Sequence, residues 1–257
     1  MKEGQKLWTR EELILAINLY CKLPFGRLHS RNPDVIHLAK LLDRTSNSIA
    51  YKLVNFASLD PSLRARGIKG ASNASNLDKQ IWEEFFNNWD ILPYESELLR
   101  SKFEHKPLTA INKIPESELP KEGKMREQMI KIRINQSFFR SSIVASYNST
   151  CCVTGIQQQE FLIAGHIKPW SVDEKNRLNP RNGLLINALH DKAFESGLMT
   201  IDDNYEIKIS SILLKQRNIA SVQDYFIKYE GAKIILPSRF LPDHEFLKYH
   251  NQERFIP

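Results

Sequence analysis

The sequence predicts an α+β protein in which a helical N-terminal domain precedes a domain built on two short strands and a helix. Two observations support this fold class. Between residues 10 and 59, apolar residues recur at the three- and four-residue spacing of amphipathic helices. Between residues 161 and 197, two short apolar runs flank a polar loop, and a short helical pattern follows them. We therefore expect a helical domain over residues 1–90, a linker over residues 91–124 and a second domain over residues 125–257.

The composition is that of a folded, soluble chain. Its 257 residues are 42% hydrophobic and 26% charged, which is enough to bury a core without disulfides or a structural metal. The three cysteines form no CxxC pair, and no apolar run approaches the ~18 residues of a membrane span. The opening MKEGQKLWTREEL lacks the apolar segment of a secretory signal. We expect a cytoplasmic protein with no membrane partner.

The charge is compatible with a polyanionic partner. The net charge is +6, and the whole excess lies in the first 150 residues. A basic excess attracts nucleic acid, but many enzymes of small metabolites carry a similar charge. Charge alone therefore leaves both classes open.

The first domain opens with three short helices. The first follows Thr9, which begins a capping box, and the third is capped by Thr45 or Ser46. A short helix, a tight polar turn and a second helix make a helix-turn-helix pattern between residues 35 and 56. Such a motif places its last helix in the major groove of DNA.

The polar face of the third helix supplies candidate DNA contacts. Side chains that can bond base edges or phosphates lie there and in the preceding turn, at Arg44, Ser46, Asn47, Tyr51 and Lys52. The alternative is a plain three-helix bundle with a solvated polar face. In its WT opening and its RTSNSIAYKL third helix, the segment resembles the SANT/Myb-like helix-turn-helix group.

The rest of the first half is less specific. Arg64, Arg66 and Lys69 lie in a stretch that reads either as a phosphate-binding loop or as a solvated linker. Residues 77–89 show amphipathic helical spacing. Residues 90–124 contain four prolines and scattered charges without periodicity, which predicts the linker.

The second domain opens with a long helical pattern over residues 125–147. Four polar candidate residues lie in the segment that follows. An apolar strand ends near His166, a polar loop leads to Asn182, and a second strand follows. The next helix carries His190 and Asp191 close to its beginning. This order brings the four side chains together beside the electropositive end of a helix.

These residue types suit hydrolysis of a phosphodiester bond. A neutral imidazole can activate water near neutral pH. A carboxylate or a second imidazole can hold a divalent cation against a phosphate oxygen. A lone histidine is more often a satisfied core residue, and a helical His-Asp pair is usually a surface feature, so the prediction depends on the combination.

The segment resembles the HNH endonucleases, whose active site is a ββα-metal finger, and within them the branch of predicted restriction endonucleases. The resemblance continues through the preceding helix and the C-terminal PDHEFLKYHNQERF, and so covers residues 125–257. Its ordered motifs are CVTG at 152–155, GHIKPW at 165–170, NGLL at 182–185 and HDKAFESGL at 190–198.

By this resemblance, His166 is the general base that deprotonates the attacking water. Asn182 is the asparagine that fixes the loop and orients the base. The helical metal ligand corresponds to Asp191, nine residues later. His190 is the second candidate, as a ligand or a phosphate contact, because successive helical residues point about 100° apart and two equal ligands are not expected.

Side chains of the loop are secondary candidates. Lys168 and Arg177, together with Arg181, would contact the DNA backbone, although each is also explained as a solvated side chain. Trp170 is expected to belong to the core rather than to stack on a base.

Two features depart from the family pattern. Many HNH proteins have Asp, Glu or His directly before the base, where this chain has Gly165. The resemblance then implies an ion held by one protein ligand, phosphate oxygens and water, as Mg²⁺ (or Mn²⁺) tolerates. The CxxC pairs of a structural zinc are also missing, which makes Cys151 and Cys152 packing residues.

The resemblance implies a metal-dependent endonuclease of double-stranded DNA, acting in restriction or phage defence, with a companion methyltransferase or defence protein as a candidate partner. Because cutting both strands usually requires two active sites, a homodimer is expected. Two alternatives stay open. One is a non-enzymatic DNA-binding regulator with a degenerate finger, which Gly165 favours. The other is a nonspecific nuclease effector, which the helix-turn-helix disfavours.

Overall fold

The computed structural model describes residues 6–67, 74–86 and 88–257. It divides into two compact units, the first ending at Ser142 and the second beginning at Ile143. The division therefore falls inside the long helix that was expected to open the second domain, and not before it. Helices together with two small antiparallel sheets agree with the predicted α+β class.

The first unit is built from helices whose beginnings follow the predicted signals. The side chain of Thr9 accepts the Glu12 N–H and Glu12 accepts the Thr9 N–H, so the capping box is confirmed. Asn32 and Thr45 cap the next two helices. The helices are α1 (Arg10–Lys22), α2 (Pro33–Leu41), α3 (Ser46–Leu59), α4 (Pro61–Ala65), α5 (Asn76–Phe86), α6 (Leu92–Glu104), α7 (Leu108–Ile111) and α8 (Lys124–Ser146), of which α8 runs on into the second unit.

The predicted helix-turn-helix is formed by α2 and α3, and both pack on α1. Leu13 of α1 and Leu53 of α3 are completely buried. Between the helices, the ring of Tyr20 lies 6.3 Å from that of Phe56 and 5.9 Å from that of Trp82 in α5. An apolar and aromatic core thus holds α1, α3 and α5 together.

Two expectations fall partly outside the described residues. Lys69 of the candidate phosphate loop is one of them, and residue 87 of the helix expected at 77–89 is the other. The described part of that helix is α5, which agrees with the amphipathic spacing.

The segment expected as a linker, residues 91–124, is instead largely structured, which corrects that expectation. It contains α6 and α7, and α6 packs against α1. Its prolines do not interrupt these helices because Pro93 lies in the first turn of α6 and Pro107 is the N-cap of α7, where no helical N–H is needed. Buried Glu97 of α6 pairs with Lys22 of α1 at 2.8 Å and ties the segment to the first unit.

The second unit contains the predicted order of strand, loop, strand and helix. Strands β1 and β2 are antiparallel, with Leu162 opposite Asn187 and His166 opposite Gly183. Asn187 also caps the helix that follows, as predicted. The elements are β1 (Leu162–His166), β2 (Gly183–Asn187), α9 (Ala188–Glu195), β3 (Met199–Ile201), β4 (Ile207–Ile209), α10 (Ser211–Leu214), α11 (Ala220–Tyr225) and α12 (His244–Glu253).

The last helix, α12, packs against β3 and is hydrogen-bonded to α9. Leu247 is completely buried. His250 accepts the Thr200 hydroxyl at Nδ1 (2.8 Å) and donates from Nε2 to the main-chain oxygen of Phe194 (3.0 Å). Its ring also stacks on Phe194 with centroids 3.6 Å apart. The buried histidine thereby links α12 to both elements.

The two adjacent cysteines are buried, in agreement with the prediction that they pack. The Cys152 N–H donates to Leu185 of β2, and its carbonyl accepts from Ile235, both at 2.7 Å. The Cys151 sulfur lies 3.3 Å from the Asn187 nitrogen. These contacts join the turn before β1 to the end of β2.

No helix within the described residues combines the length and the apolar character needed to cross a lipid bilayer.

Candidate active site

His166, the predicted base, is the last residue of β1. Its Nε2–H donates to the main-chain oxygen of Arg177 at 2.8 Å, because a carbonyl can only accept. The lone pair of the neutral ring is therefore on Nδ1. Burial lowers the pKa of His166, and the hydrogen bond to Arg177 offsets part of that effect. The lowered pKa favours the neutral form of the ring, which can accept a proton.

The buried side chain of Asn182 fixes the loop between the two strands. Its Oδ1 accepts the Lys168 N–H at 2.8 Å, and its Nδ2 donates to the oxygens of Lys168 at 2.9 Å and Asn176 at 3.3 Å. Its main-chain oxygen accepts the Ile167 N–H at 3.0 Å. Both ends of the loop are therefore joined directly beside His166.

Asp191 lies in the first turn of α9, half-buried. Burial raises the pKa of its carboxyl group and the charge of Glu195 adds to this, while Lys192 acts in the opposite direction. Within the described part of the chain, Asp191 makes neither a side-chain hydrogen bond nor a salt bridge. It is a carboxylate at the site whose charge a bound cation would stabilise.

Gly165, the residue before the base, lies directly against Asp191. A Cβ added to Gly165 would overlap Asp191 Oδ1 and would also approach Ile186 of β2. The position where many HNH proteins carry a second ligand is therefore occupied by the carboxylate of the helical ligand candidate. The absence of a side chain at residue 165 allows Asp191 to approach the strand next to His166.

His190, expected as the second metal ligand or a phosphate contact, is placed in a structural role. Its Nδ1 accepts from the amide of Asn187 at 2.7 Å and its Nε2 donates to the oxygen of Tyr225 at 2.5 Å. Its ring packs edge-on against Phe226 and Tyr229. Because both nitrogens are engaged and 98% of the residue is buried, the geometry argues against ligation by His190.

The available donors fit a hard cation better than zinc. Over the ranges that the structure describes, no cluster of three or more His, Cys, Asp or Glu side chains could surround a metal ion. Asp191 offers carboxylate oxygen, which Mg²⁺ and Mn²⁺ accept together with water and phosphate oxygens. Cys151 and Cys152 are buried in packing contacts and belong to no such cluster among the described residues.

Two predicted DNA contacts in the first unit, Arg44 and Lys52, are buried in ion pairs, which corrects their assignment. Lys52 Nζ lies 2.8 and 2.9 Å from the two carboxylate oxygens of Asp78, which is fully buried. Arg44 pairs with Glu12 through two hydrogen bonds of 3.1 and 2.6 Å, and its guanidinium lies 4.1 Å from the ring centroid of Trp8. Neither cation is presented to a phosphate.

The other candidates on α3 are accessible. Asn47 is exposed, Ser46 is half-buried and Tyr51 is 54% exposed. These three positions keep a surface that a DNA groove can reach, and their role in binding stays a prediction.

The basic residues of the loop are partly engaged within the second unit. Lys168 pairs with Asp173 at 3.1 Å, and Arg181 pairs with Asp243 at 2.8 Å. The Nε of Arg177 is buried with no hydrogen-bond partner among the described residues. The carbonyl of the same residue holds His166, so Arg177 contributes to the site through its main chain.

Trp170 is not a core residue, contrary to the expectation. Its relative exposure is 57%, and that of Val172 is 55%. Both lie in the loop that begins immediately after the base strand.

Sequence reasoning missed two further parts of the site. The oxygen of Arg177 leaves no signal in the sequence because any residue supplies a carbonyl. The Asp173-x-x-Asn176 pattern could have been found, since the Asp173 carboxylate accepts from the Asn176 N–H and side chain and so shapes the loop.

Residues 151–202 match a family model described as HNH endonuclease. The matched segment includes β1, the loop, β2 and α9, and with them His166, Asn182, His190 and Asp191. The match supports an HNH endonuclease domain over these residues of the second unit. The match does not reach the first 150 residues, so the SANT/Myb-like resemblance stays a prediction. No curated protein matches the chain.

Proposed function

We propose that this protein is a metal-dependent endonuclease that hydrolyses phosphodiester bonds of double-stranded DNA. The observation that carries the proposal is the pairing of two groups on one finger. The Arg177 carbonyl fixes Nε2 of His166, so that Nδ1 carries the lone pair of the neutral ring. The carboxylate of Asp191, which makes no salt bridge among the described residues, lies against the adjacent Gly165.

In the proposed reaction, His166 Nδ1 takes the proton from a water whose oxygen attacks phosphorus, and the leaving oxygen departs with the electron pair of the broken P–O bond. Asn182 holds the loop so that His166 keeps its orientation. Asp191 would hold a Mg²⁺ or Mn²⁺ ion, which when bound stabilises negative charge on the phosphate. His190 holds α9 through Asn187 and Tyr225 and takes no part in proton transfer.

We further propose that the first unit contacts DNA through Ser46, Asn47 and Tyr51 of α3, and that the protein acts in the cytoplasm in restriction or phage defence. A duplex with twofold symmetry favours a homodimer that places one site on each strand. A companion methyltransferase would protect host DNA if the recognised site is unmodified.

The test incubates the purified protein with methylated and unmethylated plasmid, with Mg²⁺, Mn²⁺ or EDTA. We expect discrete metal-dependent fragments that are lost in His166→Ala and retained in His244→Ala, an exposed histidine of the same unit. The preferred plasmid reports whether modification matters. Binding without cleavage in every metal would replace this proposal by a DNA-binding regulator, and uniform degradation at all sites by a nonspecific nuclease.

A further inference from the structure

The turn that carries Trp170 exposes two apolar side chains, Trp170 and Val172. The Val172 and Asp173 N–H groups both donate to the oxygen of Pro169, at 3.0 and 3.2 Å, and so close the turn. The Lys168 side chain pairs with Asp173 across its base. Exposing two large apolar side chains in one ordered turn is unfavourable in water, which points to a binding role.

The turn is joined to the catalytic histidine by short chain. Asn182 binds both the N–H and the oxygen of Lys168, directly before the turn. Trp170 is four residues after His166, so its Cα lies no more than about 14 Å from that of the base. Since successive phosphates rise 3.4 Å along a strand, this distance corresponds to about four nucleotides from a scissile phosphate at His166.

The charges around the turn favour a nucleic acid over other partners. The first part of the loop carries three cations, Lys168, Lys175 and Arg177, of which Lys175 is exposed and Arg177 is partly buried. Of the two acidic residues there, Asp173 is paired with Lys168 and Glu174 is exposed, so this part of the loop keeps a net positive charge. Cations that flank an exposed aromatic ring are typical of surfaces that follow a phosphate backbone and stack on bases.

Resting on the proposed nuclease function, we propose that Trp170 is a substrate-contacting residue that stacks on a DNA base beside the scissile phosphate. The ring opens or caps a base step, as apolar wedges do in bent duplexes. Val172 extends the apolar surface of the wedge. The contact would position the phosphate at His166 and make cleavage sensitive to how readily the neighbouring step unstacks.

The test measures DNA binding by the full chain in a His166→Ala background, so that the duplex stays intact. We expect Trp170→Ala to weaken duplex binding roughly 5- to 150-fold, and Trp170→Phe to retain most of the affinity because it keeps an aromatic ring. Phe161→Ala is the matched control, since Phe161 is 58% exposed and lies before β1, away from its His166 end. It should bind as the parent does.

Two further readouts separate stacking from a structural or electrostatic effect. A duplex with 2-aminopurine at successive positions should brighten at one or two of them with the parent and not with Trp170→Ala. The salt dependence of binding should keep its slope in Trp170→Ala but lose about one unit in Lys175→Ala.

Unchanged affinity and 2-aminopurine fluorescence in Trp170→Ala would overturn the inference. A changed molecular mass with unchanged DNA affinity would also overturn it, by showing that the turn contacts a second copy. These failures differ from failure of the proposed function, in which the protein with His166 intact cuts no DNA in any metal.

Discussion

The carboxylate of Asp191 lies directly against the Cα of Gly165, so a side chain at residue 165 and the present position of Asp191 exclude each other. A glycine before the base would by itself suggest a degenerate finger. In this structure it has a different consequence, because it makes room for a half-buried carboxylate next to His166. The proposed metal ligand, Asp191, therefore comes from α9, and Gly165 of β1 leaves room for its carboxylate.

Gly165→Ala tests this relationship. The methyl group would displace the end of the Asp191 side chain, which can rotate away at little cost, so we expect the free energy of unfolding to change by no more than about 1 kcal/mol. Metal-dependent cleavage should fall on the order of 100-fold, since small displacements of catalytic groups are costly. Gly26→Ala is the control, because its Cβ would meet open space. Equal cleavage by the two variants would contradict the prediction.

Asp191→Asn and His190→Gln distinguish the two ligand candidates. Asn at residue 191 keeps the shape but removes the charge, so we expect Mn²⁺ binding by calorimetry and cleavage each to weaken by at least on the order of 100-fold. Gln at residue 190 can still accept from Asn187 and donate to Tyr225. It should therefore retain metal affinity with a modest loss of stability. The reverse ranking would assign the ion to His190.

The places of the finger residues in the strands, loop and helix were predictable from their order along the chain, and their roles in catalysis stay a prediction. The position of Asn182 between the two strands was enough to predict its place in the loop, and the position of Asn187 at the start of a helix was enough to predict the N-cap. The burial of Lys52 was also readable in principle, since it lies three residues after Ile49 and four before Phe56, on the apolar face of α3. Its partner Asp78 lies on a different helix, and no local sequence pattern predicts this ion pair.

The expected linker shows a different limit. The prolines of residues 91–124 favour a linker when read from the sequence, although proline in the first turn of a helix is compatible with helical geometry. A tertiary contact decides between a linker and a packed helix, namely the ion pair of the buried Glu97 with Lys22 on α1. The exposure of Trp170 could not be predicted either, because the conformation of a loop decides whether a large aromatic residue in it is buried in the core or exposed at the surface.

Lys52→Met tests the structural role of the buried pair. Removing the ammonium leaves the Asp78 carboxylate uncompensated in a buried site, and we expect a loss of about 3–5 kcal/mol in the free energy of unfolding. The double variant Lys52→Met/Asp78→Asn should recover part of the loss, whereas Lys40→Met, at an exposed position of α2, should change little. Urea denaturation of the three variants measures this. A stable Lys52→Met protein with weakened DNA affinity would instead restore Lys52 as a DNA contact.

His250 should make the stability of the protein depend on pH. Burial lowers the pKa of His250 to about 4, with the Phe194 carbonyl opposing this and Arg254 adding to it. The folded pKa lies below the unfolded value of about 6.5, so between these two values the unfolded chain binds a proton at His250 more readily than the folded protein does. The free energy of unfolding is therefore highest above pH 6.5 and decreases as the pH falls toward 4. A pKa difference of this size corresponds to a loss on the order of 3 kcal/mol. The free energy of unfolding of His250→Gln should therefore fall less than that of the parent over this interval, and parallel curves would contradict the assignment.

The accessible face of α3 provides the test of DNA recognition by the first unit. Asn47 and Tyr51 are exposed on one helix, and if they contact base edges, Asn47→Ala and Tyr51→Ala should each weaken binding to the preferred sequence by about 1–3 kcal/mol. Binding to unrelated DNA should change much less, because that binding depends on phosphate contacts. Lys40→Met, on the neighbouring helix, serves as the charge control. Measuring each variant on both sequences by fluorescence polarisation separates the outcomes. Equal affinities throughout would reduce the helix-turn-helix to a structural bundle and assign sequence preference to the nuclease unit.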